Sequence, residues 1–318
     1  MTLLDELRGL FSAGKEQDAE LALRRAASAG DGETLFAVAN WRLFGLHGRR
    51  DLGQAHRLLE QSADCGNIEA VRLRATLIGN GTGCPSDPDT AAAILAGIRA
   101  RDAYAELQLG FAEKMRPDAE VAALPVERLS DSPSIRAVRG FLSPEECDYV
   151  ITLSAPHLQP SFVIDPQSGR RIPHPVRTSS GMSFGPTQED HVIHKINRRI
   201  ARVTGTRVSW GEPLHILSYA PGQEYRPHVD SLPGVTNQRH WTVLIYLNDG
   251  YVGGETRFDS AGITFAGRAG DALIFRNVDE EGRPDLDSRH AGLPVMAGTK
   301  WLATRWIRQR DYHPWAVT

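Results

Sequence analysis

Three residues in the second half of the chain could bind one metal ion. His228 and Asp230 lie two positions apart, and His290 follows much later. On a β-strand, residues i and i+2 point to the same side, so the first pair can reach one ion and the third ligand must come from a distant strand. Two imidazoles and one carboxylate on one face of an ion leave coordination positions open. This is the ligand set of non-haem Fe(II) oxygenases.

The same spacing also arises by chance, since the chain contains 11 histidines. A closed structural zinc site is a poorer match, because such sites use four Cys or His ligands. The cysteines lie far from the histidines in sequence and lack the spacing of paired ligands: Cys65, Cys84 and Cys147. The motifs around the His–Asp–His set decide between chance and a site.

Six short motifs accompany these residues in a fixed order. They are YAPGQEY at 219–225, WTVLIYLN at 241–248, GGETRF at 253–258, GDALIF at 270–275, HAGLPV at 290–295 and GTKW at 298–301. Together they resemble the catalytic domain of the prolyl 4-hydroxylases, a branch of the 2-oxoglutarate- and Fe(II)-dependent oxygenases. The resemblance covers residues 135–310, more than half of the chain.

The resemblance implies a hydroxylase that uses Fe(II), 2-oxoglutarate and O2, acts on a prolyl residue of a peptide or protein, and releases succinate and CO2. Ascorbate is a further candidate cofactor. Two alternatives stay open: a hydroxylase of a free amino acid or small metabolite, and a non-catalytic repeat scaffold whose barrel binds metal. A halogenase is disfavoured, because Asp230 stands where halogenases leave room for chloride.

The second carboxylate of 2-oxoglutarate needs a cation, and Lys300 is the candidate. A lysine is a solvated surface residue by default. The neighbours of Lys300 are apolar enough to read as buried, which argues against that default. A turn near Ala297 and Gly298 is expected to bring Lys300 back on the strand beside that of His290.

Two further groups of side chains are assigned by the resemblance. Hydroxyl groups that help Lys300 to bind 2-oxoglutarate would come from Tyr219 and Thr256. Tyr246 is a third candidate, with a core aromatic residue as the equally weighted alternative. The substrate would contact three side chains, Arg177, Tyr225 and Trp306. The alternatives for these three are a salt-bridged arginine and packed aromatic residues.

The first hundred residues are rich in Ala, Leu and Arg at helical spacing and match themselves at an offset of 36 residues. Gly45 falls on Gly81, and Asp51 falls on Asp87. Such a period predicts stacked helical hairpins, and the segment resembles Sel1-type repeats, relatives of the tetratricopeptide repeats. Three roles stay open for them: docking of a peptide or protein substrate, a helical cap on the oxygenase, or a dimerisation element.

We therefore expect an α+β protein with three segments. Residues 1–115 form a solenoid-like helical repeat domain, 116–134 a proline-containing linker, and 135–318 a double-stranded β-helix (jelly-roll) oxygenase domain. A strand is predicted at 135–138 and a helix from Ser143, an N-cap serine followed by proline, to about Leu153.

The composition limits which binding partners and which cellular compartment are expected. A net charge of −3 with no long basic run gives no indication of nucleic acid or membrane binding. We expect neither a secretory signal nor a membrane span, because the first residues include acids and no apolar stretch is long enough to span a bilayer; the cysteines are also few. We expect a cytoplasmic protein.

Overall fold

The computed structural model describes residues 2–164, 171–173 and 176–315. Contacts divide the chain into two compact units. The helical unit comprises Met1–Lys114 and Pro186–His194, and the sheet unit comprises Met115–Gly185 and Lys195–Thr318. Among the described residues, every helix is too short or too polar to cross a lipid bilayer.

The helical unit is built from α-helices that pack against their neighbours in the chain. They are α1 (Leu3–Ser12), α2 (Glu16–Ser28), α3 (Gly32–Phe44), α4 (Leu52–Asp64), α5 (Ile68–Asn80), α6 (Pro88–Ala96) and α7 (Ala103–Lys114). Small and aliphatic side chains fill one of its cores: Ala75, Ala91, Leu95, Ile98, Ala105 and Leu109.

The helix boundaries follow the 36-residue offset of the sequence. Helices α2 and α4 start at residues 16 and 52, and α3 and α5 start at residues 32 and 68. Asp51 and Asp87 cap α4 and α6 by accepting hydrogen bonds from the first turn. Gly45 and Gly81 end α3 and α5 in the left-handed conformation, which favours glycine.

The sheet unit contains α8 (Asp118–Ala122), α9 (Pro144–Ser154) and most of α10 (His191–Thr204). The helix predicted from Ser143 is confirmed: Ser143 and Glu146 form a reciprocal capping box, and Pro144 occupies the first turn. Three single-turn 3-10 helices lie at Ala155–His157, Val208–Trp210 and Leu286–Ser288.

Two antiparallel sheets dominate this unit. The strands are β1 (Val126–Ser130), β2 (Ile135–Val138), β3 (Gln159–Pro160), β4 (Phe162–Ile164), β5 (Arg171–Pro173), β6 (Ser180–Phe184), β7 (Leu214–Tyr219), β8 (Tyr225–His228), β9 (Arg239–Tyr246), β10 (Val252–Gly253), β11 (Thr256–Phe258), β12 (Ile263–Phe265), β13 (Ala272–Arg276), β14 (His290–Gly292), β15 (Val295–Ala297) and β16 (Lys300–Arg308). The large sheet has eight strands in the order β1-β2-β13-β9-β16-β7-β6-β3, and the small sheet has four in the order β12-β11-β14-β8. Strands β10 and β15 form a separate pair, as do β4 and β5.

The hydrophobic core contains side chains from both sheets. Leu217 and Leu302 of the large sheet share one buried cluster with Phe258 of the small sheet. Alternation along each strand sends every second side chain toward this core. The large antiparallel sheet and the helices agree with the mixed α and β architecture expected from the sequence.

The segment predicted to be a linker, 116–134, is more ordered than expected. It contains α8, and β1 pairs with β2 as the edge strand of the large sheet. Asp118 also forms an ion pair with the buried Arg199, with an O–N distance of 3.2 Å. Edge strands with polar, exposed residues lack the alternating pattern that identifies a half-buried strand, so this sequence reads as a linker.

Candidate active site

The three candidate metal ligands meet at the edge of the small sheet. His228 is the last residue of β8 and His290 the first of β14, and the two are directly paired across these neighbouring strands. Asp230 was expected on the same strand as His228, but β8 ends at His228 and Asp230 follows it. One ligand atom from each residue lies within 4.8 Å of the other two, the only such cluster of His, Cys, Asp and Glu among the described residues.

Backbone carbonyls orient both imidazole rings. Nδ1 of His228 lies 2.9 Å from the carbonyl oxygen of Arg226, and Nδ1 of His290 lies 3.1 Å from that of Ser288. A carbonyl only accepts, so each Nδ1 carries the proton and each Nε2 presents a lone pair. Burial lowers the pKa of His290 to about 4, which keeps this ring neutral at physiological pH.

Asp230 is buried and accepts a hydrogen bond from the hydroxyl of Thr242, with an Oγ1–Oδ2 distance of 2.6 Å. Burial alone would raise the pKa of this carboxyl. The neighbouring imidazoles of His228 and His290 and the guanidinium of Arg239 outweigh it and hold the pKa of Asp230 well below its usual range. The carboxylate is therefore ionised and suited to a divalent cation.

Aromatic rings fix the positions of the two imidazoles. The ring of Tyr225 stacks on that of His228 with centroids 3.5 Å apart. Phe275 and Phe258 pack against His290 with centroid distances of 4.5 and 5.4 Å. Close packing of this kind restricts ring rotation, so the ligand atoms are held in place before any ion binds.

Lys300 lies in the large sheet, so the prediction that its strand runs beside that of His290 is wrong. It begins β16 and pairs with Tyr219 of β7. The chain leaves β14 through β15, which pairs with β10, and then turns at Gly298 with φ of 74°. A Cβ at Gly298 would lie 2.5 Å from the carbonyl oxygen of Gly250, so only glycine fits this turn.

A narrow cavity between the two sheets nevertheless brings Lys300 and the metal ligands together. Its lining includes the metal-ligand candidates His228, Asp230 and His290, and it also includes Lys300 of the large sheet. Other lining side chains are aliphatic, hydroxyl-bearing or aromatic: Leu217, Tyr219, Tyr225, Leu244, Thr256, Leu302, Thr304 and Trp306. A cavity with apolar walls and a few polar groups is typical of a small-molecule site.

The ammonium group of Lys300 is buried, and the described part of the chain supplies no counter-ion for it. The residue is 2% exposed, and its Nζ donates to the carbonyl oxygen of Gly254 at 2.6 Å. It makes no ion pair with any described residue, and the rings of Tyr219 and Tyr246 lie 5.7 and 5.0 Å away. Burial lowers the pKa of Lys300 to about 7, with Glu255 opposing the shift. An ammonium has three donors, so two remain for an anionic ligand.

The hydroxyl candidates differ in their placement. Tyr219 and Thr256 both line the cavity. Tyr246 is fully buried in the core, and its hydroxyl lies 2.7 Å from Oγ1 of Thr256. A Cβ at Gly267 would lie 2.3 Å from the ring of Tyr246, which packs directly on that glycine. This placement favours a core role for Tyr246, in which it orients Thr256.

The three substrate candidates differ in their placement. Tyr225 and Trp306 line the cavity, whereas Arg177 does not. Arg177 forms a backbone bridge with Tyr225, donates from Nε to Ser161 Oγ at 3.1 Å, and has its guanidinium 5.6 Å from the Tyr225 ring. The guanidinium of Arg239 lies 3.8 Å from the Trp306 ring, and the indole N–H of Trp306 has no hydrogen-bond partner among the described residues.

Sequence reasoning missed several residues that support the site. The hydroxyl of Thr242 donates to the carboxylate of Asp230. The guanidinium of Arg239 donates to the carbonyl oxygen of Asp230 at 3.4 Å and forms an ion pair with Glu212 at 2.7 Å. The sequence could have indicated Thr242. Thr242, Leu244 and Tyr246 are spaced two apart along β9, so their side chains point to the same face of the sheet, and Leu244 lines the cavity. Arg239 and Glu212 lie 27 residues apart and carry no common pattern.

Comparison with known proteins identifies relatives of the sheet unit. Residues 214–308 match the family model of the 2OG-Fe(II) oxygenase superfamily. Prolyl 4-hydroxylase 1 of Arabidopsis thaliana is 37% identical over 203 residues, which are 58% of this chain and 72% of that protein. Probable prolyl 4-hydroxylase 3 of the same plant is 37% identical over 210 residues, 58% of this chain and 73% of that protein.

A similar solved structure is that of the viral collagen prolyl hydroxylase from Paramecium Bursaria Chlorella virus-1 in its 2OG complex. It is 27% identical, covers 55% of this chain and 95% of its own, and has a TM-score of 0.44. The matched region 214–308 contains the three candidate metal ligands and Lys300, whereas Arg177 lies outside it.

Proposed function

We propose that this chain, which belongs to the prolyl 4-hydroxylase family of 2-oxoglutarate- and Fe(II)-dependent oxygenases, hydroxylates a prolyl residue of a peptide or protein. It is a 2-oxoglutarate-dependent dioxygenase whose cofactors are Fe(II), 2-oxoglutarate and O2. One observation carries the assignment within the molecule: the His–Asp–His cluster lines the same cavity as a buried lysine that makes no ion pair with a described residue.

The residues present fit the iron ion and the co-substrate. His228, His290 and Asp230 would hold the metal, because two neutral imidazoles and one carboxylate on one face suit Fe(II). When bound, the iron supplies the chemistry that couples decarboxylation of 2-oxoglutarate to hydroxylation of a C–H bond, with succinate and CO2 as products.

The protein's part is to bind and orient the reactants. Lys300 would bind the distal carboxylate of 2-oxoglutarate, since burial makes its charge costly until an anion arrives. Tyr219 and Thr256 would add hydroxyl hydrogen bonds at the same end. The apolar side chains Leu217, Leu244 and Leu302 limit water around the reacting groups.

The substrate side is proposed from three residues. Trp306 and Tyr225 line the cavity with aromatic rings, Tyr225 stacks on His228, and Arg177 lies beside Tyr225. Aromatic surfaces with a donor suit proline-rich segments, which adopt an extended conformation with free carbonyl groups. This chemistry supports a prolyl peptide over a free amino acid.

Turnover assays separate the candidate substrates. The purified protein would be incubated with Fe(II), 2-oxoglutarate and O2 and with either proline-containing peptides or free amino acids. We expect succinate formation to depend on the peptide, and mass spectrometry to show one added oxygen on proline. A protein that binds metal but gives no succinate with any substrate would contradict the proposal. Preferred turnover of a free amino acid would support the small-molecule alternative.

The fold assignments and the compartment complete the proposal. The two facing sheets support a double-stranded β-helix for 135–318, and the 36-residue offset of helix starts supports Sel1-like repeats for 1–115. Docking of the substrate by these repeats would be tested with chain lacking residues 1–115, provided that it stays folded. We also propose a cytoplasmic location, which cell fractionation would test.

A further inference from the structure

We infer that Thr242 and Asn277 form a hydrogen-bonded relay that positions the carboxylate of Asp230 and connects it to the segment that carries His290. Neither residue is a ligand candidate, and neither lines the cavity. They are positioning residues that act through Asp230. The inference rests on the proposed function, since it concerns how the metal ligands are held.

The direction of each hydrogen bond in the relay is determined by chemistry. Thr242 Oγ1 lies 2.6 Å from Asp230 Oδ2, and Asn277 Nδ2 lies 2.8 Å from Thr242 Oγ1. An ionised carboxylate only accepts, so the Thr242 hydroxyl must donate to Asp230. Its oxygen then accepts from the Asn277 amide. Both residues are 0% exposed, so bulk water does not compete for these bonds.

The relay continues toward the second histidine through the chain. The carbonyl oxygen of Asn277 accepts from the N–H of Asp285 at 2.9 Å. The carbonyl oxygen of Asp285 accepts from Ser288 Oγ at 2.6 Å. The carbonyl oxygen of Ser288 accepts from His290 Nδ1 at 3.1 Å. Asp230 and His290, far apart in sequence, are thus joined without the metal by hydrogen bonds and by the covalent structure of the residues between them.

Asp230 needs such support because it lies beyond the end of β8, where no strand ladder restrains it. Among the described residues, its carbonyl oxygen has a single, long contact, with Arg239 at 3.4 Å. The bond from Thr242 engages Oδ2 and leaves Oδ1, which lies 3.6 Å from Nε2 of His228, for the ion. Thr242 is itself held on β9, where it pairs with Phe275 of β13. Phe275 lies two residues before Asn277 in the chain.

Metal titration tests the relay without turnover. Metal-free protein would be titrated anaerobically with Co(II), and the visible absorption bands would report both affinity and coordination geometry. Loss of an outer hydrogen bond to a metal ligand costs about 10- to 100-fold in metal affinity. We therefore expect Thr242→Val to raise the Kd for Co(II) by about 10- to 100-fold and to alter the bands. Thr242→Ser, which keeps the hydroxyl, should restore near wild-type binding.

Matched variants separate positioning from stability. Thr264→Val removes a hydroxyl from an exposed position of β12 and should leave the Kd unchanged. Asn277→Ala leaves the hydroxyl of Thr242 donating to Asp230 but removes the amide that donates to the Thr242 oxygen, and we expect a smaller increase in Kd. If Thr242→Val does not fold, Asn277→Ala decides the question. The melting temperature of each metal-free variant reports folding independently of the Kd.

The outcomes distinguish this inference from the proposed function. Folded wild-type protein that binds no Co(II) would overturn the proposed metal site. Wild-type protein that binds Co(II) while Thr242→Val binds it equally well, with the same spectrum, would overturn the relay alone. Failure of Thr242→Ser to recover affinity, or an unchanged Kd in Asn277→Ala, would also count against the relay.

Discussion

The metal ligands and Lys300 line one cavity but are held in opposite ways. Each metal ligand has a protein partner: His228 bonds to Arg226, His290 to Ser288 and Asp230 to Thr242. Lys300 is a buried cation that bonds to one carbonyl and forms no ion pair with the described residues. The metal end is therefore organised before it binds its ion, whereas the Lys300 end reaches electrostatic balance only with an anionic ligand.

The largest effect is expected from removing the carboxylate at the metal end. Asp230→Ala takes away one of three ligands and should lower Co(II) affinity by more than about 100-fold, since even an outer hydrogen bond contributes 10- to 100-fold. Metal titration and succinate assays measure this effect. Asp259→Ala, at an exposed position in the turn that follows β11, is the control. Tight binding by Asp230→Ala would show that the ligand set is misassigned.

Removing the positive charge of Lys300 should weaken binding of 2-oxoglutarate and leave metal binding unchanged. Lys300→Ala is expected to raise the KM for 2-oxoglutarate roughly 10- to 100-fold, because hydrogen bonds to charged groups contribute about 1.5–3 kcal/mol. The Kd for Co(II) should stay close to that of the wild type. A variant that loses metal affinity and keeps its KM for 2-oxoglutarate would reverse the assignment of the two ends.

Binding of 2-oxoglutarate should weaken as the pH rises. Burial lowers the pKa of Lys300 to about 7, so the free protein loses this charge as pH increases through that value. A bound carboxylate favours the ammonium form, so binding takes up a proton. If only the protonated form binds, the Kd at pH 8 should be about tenfold higher than at pH 6.

Calorimetry in buffers with different heats of ionisation measures this proton uptake directly. Lys300→Arg is the informative comparison, because a guanidinium stays charged throughout this range and should remove the pH dependence. A wild-type Kd that is independent of pH, with no proton uptake, would mean that Lys300 is already charged in the free protein.

The smallest effect concerns the hydroxyl groups near Lys300. Tyr246→Phe removes the partner of Thr256 Oγ1 and should raise the KM for 2-oxoglutarate by roughly fivefold, since one hydrogen bond contributes about 1 kcal/mol. If Tyr246 acts through Thr256, the same change made on a Thr256→Val background should add nothing. Independent, additive effects in this double-mutant cycle would indicate direct contact of Tyr246 with the co-substrate.

The metal ligands could be found from the sequence, although their exact backbone setting could not. The i, i+2 spacing of His228 and Asp230 gave a testable ligand pair, and the surrounding motifs identified the family. The expectation that both lie on one strand missed the end of β8. Where a strand ends depends on which partner is available, and β14 begins at His290, the partner of His228, so it offers no residue to pair with Asp230.

The location of Lys300 shows a different limit. Its burial was predictable from its neighbours, and the structure places it at 2% exposure. Its strand was assigned to the wrong sheet, because a short loop after β14 was expected to form a hairpin. Instead β15 pairs with β10, and the chain then enters the large sheet. Such a crossover follows from pairing with residues far away in sequence, which local patterns do not encode.

The sequence by itself determined the type of ligands, the order of the motifs, the 36-residue offset and the capped start of α9, because these depend on residue identity and short spacing. Only the tertiary structure decided which residues support the ligands. The supporting hydrogen bonds of Thr242 and Asn277 depend on contacts between strands that are distant in the chain. The same is true of the burial of Lys300, which makes no ion pair with a described residue. Hydrogen bonds and burial are properties of the packed state, so they emerge when the sheets come together.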